Sequence, residues 1–234
     1  MKEKMSTIFR GNKNYYEEIK QYNMIDGILA IVLFLFHYVL YYFMGYLYLT
    51  RNIYLGEILN MTLVLITIWI VKLRKQKLSS IGITKYMLKQ AIIMGCITGF
   101  LYLFFGAILP GIIQGRDWNS PLTILNKIFF FFIIIGFVEE LIFRGFIQTR
   151  LHGLIHNEIG VTVIAGILFS LMHIPFQMAL VGMSTFQYIY NNVITLLILI
   201  VWHIVFTFLY KKFNSIVTGT LFHGFMDMCS GLFR

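Results

Sequence analysis

Seven apolar stretches divide this chain, at 27–49, 53–73, 90–114, 124–148, 159–181, 185–210 and 214–233, with polar residues collected between them. A helix needs about 20 such residues to cross the hydrocarbon of a bilayer. The second stretch is the weakest, because Glu57 interrupts its start. Pro110 and Pro175 stand where they would end or kink their helices. A re-entrant or interfacial segment around 78–84 would raise the helix count by one. The pattern predicts an all-α fold, a polytopic transmembrane helix bundle of about seven to eight helices, with no internal repeat and no low-complexity tract.

Composition agrees. Of the 234 residues 59% are hydrophobic and 12% charged, about half the charge of a soluble domain. The net charge of +9 would suit a nucleic-acid binder if it covered a soluble face, but the basic residues sit in loops and set topology instead. Lys2, Lys4, Arg10, Lys13 and Lys20 precede the first stretch, and Arg51 alone follows it. Lys72, Arg74, Lys75, Lys77, Lys85 and Lys89 fill the second loop. Arg116 lies in the third, with Lys127 just inside the next span, Arg150 in the fourth, and Lys211 and Lys212 in the sixth. The basic excess marks the cytoplasmic side, so the N-terminus is expected inside and, after seven crossings, Arg234 outside. The first run lacks the short basic head and small-residue cleavage site of a signal peptide and reads as a retained anchor in the cell membrane. Cys96 and Cys229 lie in apolar runs without metal-ligand spacing and read as small hydrophobes.

Against this background the ionisable groups inside the last apolar stretches stand out. They are Glu139, Glu140 and Arg144, then His173, then His223 and Asp227. A charge at the centre of a membrane helix costs roughly 2.5–3.5 kcal/mol on insertion scales. Glu140 and Arg144 are four apart and meet on one helix face, whereas Glu139 is rotated about 100° away. The division this suggests is Glu140 as the partner of Arg144 and Glu139 as the carboxylate free for general-base chemistry. A structural ion-pair cluster of all three is the competing reading. A lone membrane histidine such as His173 is more often an interhelical hydrogen bonder than a catalyst. His223 and Asp227 share a face and could hold a proton relay, a metal, an oxyanion-stabilising donor or a plain interhelical bond. Counting along the spans sets Glu139 and His223 at similar depth and His173 several ångströms deeper.

Taken in order, Glu139-Glu140-x-x-x-Arg144 with Gly145, Phe169-x-x-x-His173 with Pro175, and His223-x-x-x-Asp227 resemble the motifs of the CPBP family. This family comprises the type II CAAX prenyl endopeptidases and the bacteriocin-processing "Abi" membrane proteases, and the small size and His-Ile-Pro variant resemble its bacterial members. The resemblance covers roughly residues 120–230 and implies a catalytic membrane core at 120–234; charge and hydropathy divide the rest into a cytoplasmic segment 1–26 and N-terminal membrane helices 27–119. It implies an intramembrane endopeptidase in which Glu139, helped by His173, activates water, while His223 and Asp227 stabilise the oxyanion. Many members carry Asn where this chain has Asp227, and an ionised carboxylate cannot donate to an oxyanion. The role of Asp227 is therefore open between a protonated donor and a group that orients His223. The resemblance favours catalysis without a cofactor. Zinc held by Glu139, His173 and His223 is the alternative, although the HExxH spacing of common zinc peptidases is absent.

The expected partners are the lipid bilayer and a membrane-associated peptide or lipidated protein as substrate, with no nucleic acid. A non-catalytic immunity or scaffold protein bound to a partner membrane protein is the competing function. The catalytic cavity is expected to open toward the cytoplasm or inner leaflet. His37 and His203 are expected to bond between helices or line a cavity, and His152 and His156 to sit with Arg150 in a solvated loop. Tyr41, Tyr42, Tyr46 and Tyr48 are expected in an interfacial aromatic belt.

Overall fold

A computed structural model describes residues 11–234. Lys2, Lys4 and Arg10, which helped to assign the N-terminus to the cytoplasm, lie outside the described residues. The bundle is all-helical. A short helix α1 (Lys13–Ile19) precedes α2 (Met24–Arg51) and α3 (Gly56–Leu73). Then come α4 (Leu88–Ile113), α5 (Pro121–Leu151), α6 (Glu158–Met172), α7 (Ile174–Leu180), α8 (Thr185–Phe213) and α9 (Val217–Asp227). Six helices among the described residues are long and apolar enough to span a membrane, with α6 and α7 together forming one of them. The chain is an integral membrane protein.

The last apolar stretch differs from its expected form. It is an 11-residue helix followed by a single 3-10 turn, Met228–Ser230. At 1.5 Å per residue, α9 rises roughly 16 Å, about half the hydrocarbon thickness. It still connects opposite ends of the bundle. Before it, the Ile216 amide donates to the Gly82 carbonyl, and Asn12 donates to Lys211, all at one end. After it, Arg234 donates to Asp117 and Asn119 to Leu232, at the other. The second and sixth loops and α1 thus share an end, joined there by the fourth through Tyr15 and His152. That end carries most of the lysines and arginines.

Small residues bring α9 into the centre. Methyl groups on Gly95 and Gly99 of α4 would press on Leu221 and Phe225 of α9, so their absence lets the two helices touch along the backbone, the usual mode of close packing in lipid. Thr218 adds a hydrogen bond of 3.1 Å to the Ala91 carbonyl. Pro110 lies within α4 without ending it, just beyond a π-wound segment at Phe104–Ile108. Pro175 does mark a break. His173 caps α6, and α7 starts immediately with Pro175 in its first turn.

The core is built on the second half of α5, where every residue from 138 to 152 is buried. Within the segment 78–84, residues 78–81 form a 3-10 turn that packs on this half-helix with Ser80 and Ile81 buried. Arg150 and His152, expected in a solvated loop, are buried too, while His156 is exposed. The Arg150 guanidinium donates to the Ser80 carbonyl and hydroxyl (both 2.6 Å), to Gln76 (2.8 Å) and to the Gly145 carbonyl (2.9 Å). Those acceptors replace the water that loop exposure would have supplied. His152 lies 3.3 Å from the Tyr15 hydroxyl. Burial, and next the charge of Lys211, lower its pKa to about 4, so it is neutral at neutral pH.

Candidate active site

Glu139 lies between two π-wound segments of α5, Phe130–Phe137 and Glu140–Gln148. Such winding displaces carbonyls from the regular ladder and recurs at functional sites. Side chains fill the vacated acceptor positions here. The Asn60 amide donates to the Ile134 carbonyl at 3.1 Å, and Thr149 donates to the Gly145 carbonyl at 2.6 Å. Asn60 in turn accepts from the Tyr41 hydroxyl at 2.6 Å. Tyr41 therefore leaves the expected aromatic belt and faces inward, whereas Tyr42 and Tyr46 are exposed.

The three motifs meet around the Glu139 carboxylate. Its Oε1 lies 4.0 Å from His173 Nε2, and its Oε2 lies 3.8 Å from His223 Nε2. His223 Nε2 is also 3.5 Å from Asp227 Oδ2. His173, at the end of α6, lies beside Glu139 all the same, without the depth difference that counting along the spans suggests. These separations exceed direct hydrogen bonds and match groups bridged by a small molecule such as water. His173 Nδ1 is 2.9 Å from the Phe169 carbonyl. A carbonyl only accepts, so Nδ1 carries a proton, and in the neutral ring Nε2 is left as an acceptor for a bridging donor such as water.

Behind this face, Glu140 and Arg144 are fully buried, with Nη1 3.0 Å from Oε1. That contact is too skewed for a hydrogen bond, and none of the three guanidinium nitrogens has a hydrogen-bond partner. Arg144 is held instead between two rings, 4.2 Å from the Phe169 centroid and 5.0 Å from that of Phe206. Cation–π contacts of this desolvated kind are worth about 2 kcal/mol each. Glu140 has a second neighbour that the i,i+4 pattern does not reveal, since its Oε1 lies 3.4 Å from His223 Nδ1. Gly219, one turn before His223, makes room, because a methyl there would strike the Glu140 carboxylate. His223 also stacks on Phe206 at 5.1 Å.

Glu139, His173, His223 and Asp227 line one cavity of about 470 Å³ together with Tyr41, Asn60 and Trp202. Glu140 and Arg144 do not line it. His203 bonds between helices, to Gln148 at 2.7 Å. Among the described residues His37 has no hydrogen-bond partner, and it does not line the cavity. Both its nitrogens are buried without a partner, and its ring packs edge-on against Tyr41. Among the described residues no three His, Cys, Asp or Glu side chains are arranged to hold a metal ion.

Residues 121–229, which contain every one of these motif residues, match the family model "Type II CAAX prenyl endopeptidase Rce1-like". This segment, somewhat less than half of the 234 residues, is similar to that family. No curated protein and no solved structure matches the chain. Tyr41 and Asn60 lie outside the Rce1-like segment yet contribute to the same cavity. A lone polar pair in the first two spans gave no spacing signal that would have tied it to Glu139.

Proposed function

We propose that the protein is a glutamate-dependent endopeptidase of the cell membrane that hydrolyses a peptide bond in a membrane-associated peptide or lipidated protein precursor, with its N-terminus in the cytoplasm. The observation that carries this reading is the position of the Glu139 carboxylate between two imidazoles at 4.0 and 3.8 Å, in a cavity large enough for an extended peptide segment.

A water held between Glu139 and His173 donates one hydrogen to Oε1 and the other to Nε2. Its oxygen attacks the scissile carbonyl carbon while Glu139 takes a proton. The carbonyl π electrons move to oxygen, and the resulting oxyanion accepts from His223 Nε2–H. Both ring nitrogens of His223 face carboxylate oxygens, which only accept. His223 therefore acts as an imidazolium, with Nδ1 paired by charge with Glu140 at 3.4 Å and Nε2 left for the oxyanion. Asp227 orients Nε2 from the cavity side. Collapse of the intermediate breaks the C–N bond, and Glu139 returns its proton to the departing amine. No step requires a metal. The alternative zinc set of Glu139, His173 and His223 has donor pairs near one another, but not the closed arrangement of three ligands around a common point.

Substrate trapping tests this reading. Glu139→Ala, expressed in place of the wild type, should accumulate an uncleaved membrane-associated precursor that mass spectrometry identifies. Identical peptide populations in the two strains would count against peptidase function.

A further inference from the structure

The cavity has a closed end and an open end, and they are opposite to the ends expected for a cytoplasmic protease site. Toward the basic loops, the space below Glu139 is filled. Residues 138–152 are buried without interruption, and Arg144 and Arg150 are completely enclosed. Gln148 accepts from Thr207 at 2.6 Å and pairs with His203 at 2.7 Å, closing the α5–α8 seam. Arg150 ties the 78–81 turn across the same end through Ser80, and the Ile81 carbonyl rests where Gly145 has no side chain. These packed and bonded groups stand between Glu139 and the basic loops.

The walls rise the other way. Tyr54 lies in the loop between α2 and α3, and Asn60 in the first turns of α3. Phe130 and Phe131 belong to the first half of α5, while Phe176 and Gln177 lie on α7 beyond the His173 break. Each of these positions lies toward the end that carries the first, third and fifth loops. Tyr54 and Phe176 meet there with ring centroids 5.8 Å apart, and Gln177 is exposed. That end has few basic residues, and by the positive-inside rule it faces away from the cytoplasm. The lining holds the carboxylates of Glu139 and Asp227 and no lysine or arginine, and its imidazolium, His223, is already faced by carboxylates, so an acidic side chain or a terminal carboxylate would meet mainly like charge.

We propose that the substrate reaches Glu139 from the external face of the membrane, as a non-acidic, largely apolar peptide segment already presented on the outer leaflet. The peptide part of this inference rests on the peptidase reading, whereas the direction of opening does not. The proposed direction is opposite to the expected cytoplasmic opening, which took the motif residues' distance from the nearer loops as the guide and not the packing of the intervening turns.

Two measurements in sealed right-side-out membrane vesicles decide it. The first uses a background with Cys96→Ala and Cys229→Ala, carrying either Gln177→Cys or Lys75→Cys, and a membrane-impermeant maleimide. Gln177→Cys should label in intact vesicles as fully as in lysed ones, and Lys75→Cys only after lysis. Labelling of Gln177→Cys only after lysis would overturn the proposal, whatever the protein catalyses. The second adds a quenched fluorogenic peptide, apolar at its centre and flanked by lysines, outside the vesicles. Glu139-dependent cleavage in right-side-out but not inverted vesicles is expected. Glu139-dependent cleavage confined to inverted vesicles would overturn the proposal and leave the peptidase reading intact. Absence of Glu139-dependent cleavage in either orientation would count against the peptidase reading and the peptide assignment, while the labelling would still settle the opening.

Discussion

Glu140→Gln should destabilise the protein far more than Glu139→Gln, although the two glutamates are adjacent. Among the described residues Glu140 is the sole anion in contact with Arg144, and none of them hydrogen-bonds an Arg144 nitrogen. A guanidinium cannot escape by losing its proton. Removing the counter-charge therefore strands a buried cation, at a cost of about 3–5 kcal/mol, with only the Phe169 and Phe206 rings to offset it. For a chain of this size that corresponds to roughly 6–20 °C in melting temperature, at about 2–4 °C per kcal/mol. Arg144→Met should cost less, because Glu140 keeps His223 at 3.4 Å and the methionine side chain fills the slot between the rings. The double change Glu140→Gln with Arg144→Met strands neither charge and should recover part of the loss seen in Glu140→Gln. Glu139→Gln removes only contacts of 3.8 and 4.0 Å at a cavity wall and should stay within about 1 kcal/mol of the wild type. Melting curves of the four variants purified in one detergent measure all of this. Equal destabilisation by the two glutamine substitutions, or a double variant no more stable than Glu140→Gln, would refute the division of roles.

Asn60→Leu, which keeps volume but removes the donor to the Ile134 carbonyl, should slacken the π-wound segment before Glu139 and lower kcat roughly tenfold to a hundredfold. KM should change little, and a change confined to KM would mark Asn60 as a substrate contact instead. Asp227→Asn should retain activity, since an amide can accept from His223 and also donate to an oxyanion, whereas Asp227→Leu should lose it. Comparable loss in both variants would require an ionised Asp227. Dialysis against a strong chelator should leave cleavage unchanged. Activity lost on chelation and restored by zinc would move Glu139, His173 and His223 into a metal site.

Much of the fold was legible because lipid imposes one rule on every span, that some 20 apolar residues must close their own backbone hydrogen bonds. Loop charges then ordered the helix ends. The last segment was misjudged because hydropathy measures apolar length, whereas α9 is short and reaches across the bundle with a 3-10 turn and loop backbone. Arg150 read as a loop residue for a related reason. A cation at a span's end usually reaches water, but here Ser80, Gln76 and the Gly145 carbonyl come to it from distant parts of the chain. The Glu140–Arg144 pair followed from helical spacing. The Glu140–His223 contact and the accommodating Gly219 did not, because they depend on how α9 lies against α5. Tyr41 and Asn60 were invisible for the same reason, since π winding and interhelical packing, not periodicity, direct them toward the Ile134 carbonyl.

The central claim is that the Glu139 carboxylate is the base. The direct test is single-turnover cleavage by wild type and Glu139→Gln, reconstituted in the same lipid, of the precursor recovered by trapping, with a melting curve of each. The account predicts a folded Glu139→Gln protein, within a few degrees of the wild type, whose cleavage rate has fallen by about 10²–10⁴-fold, the range for loss of a general base. Cleavage by folded Glu139→Gln at the wild-type rate would contradict it.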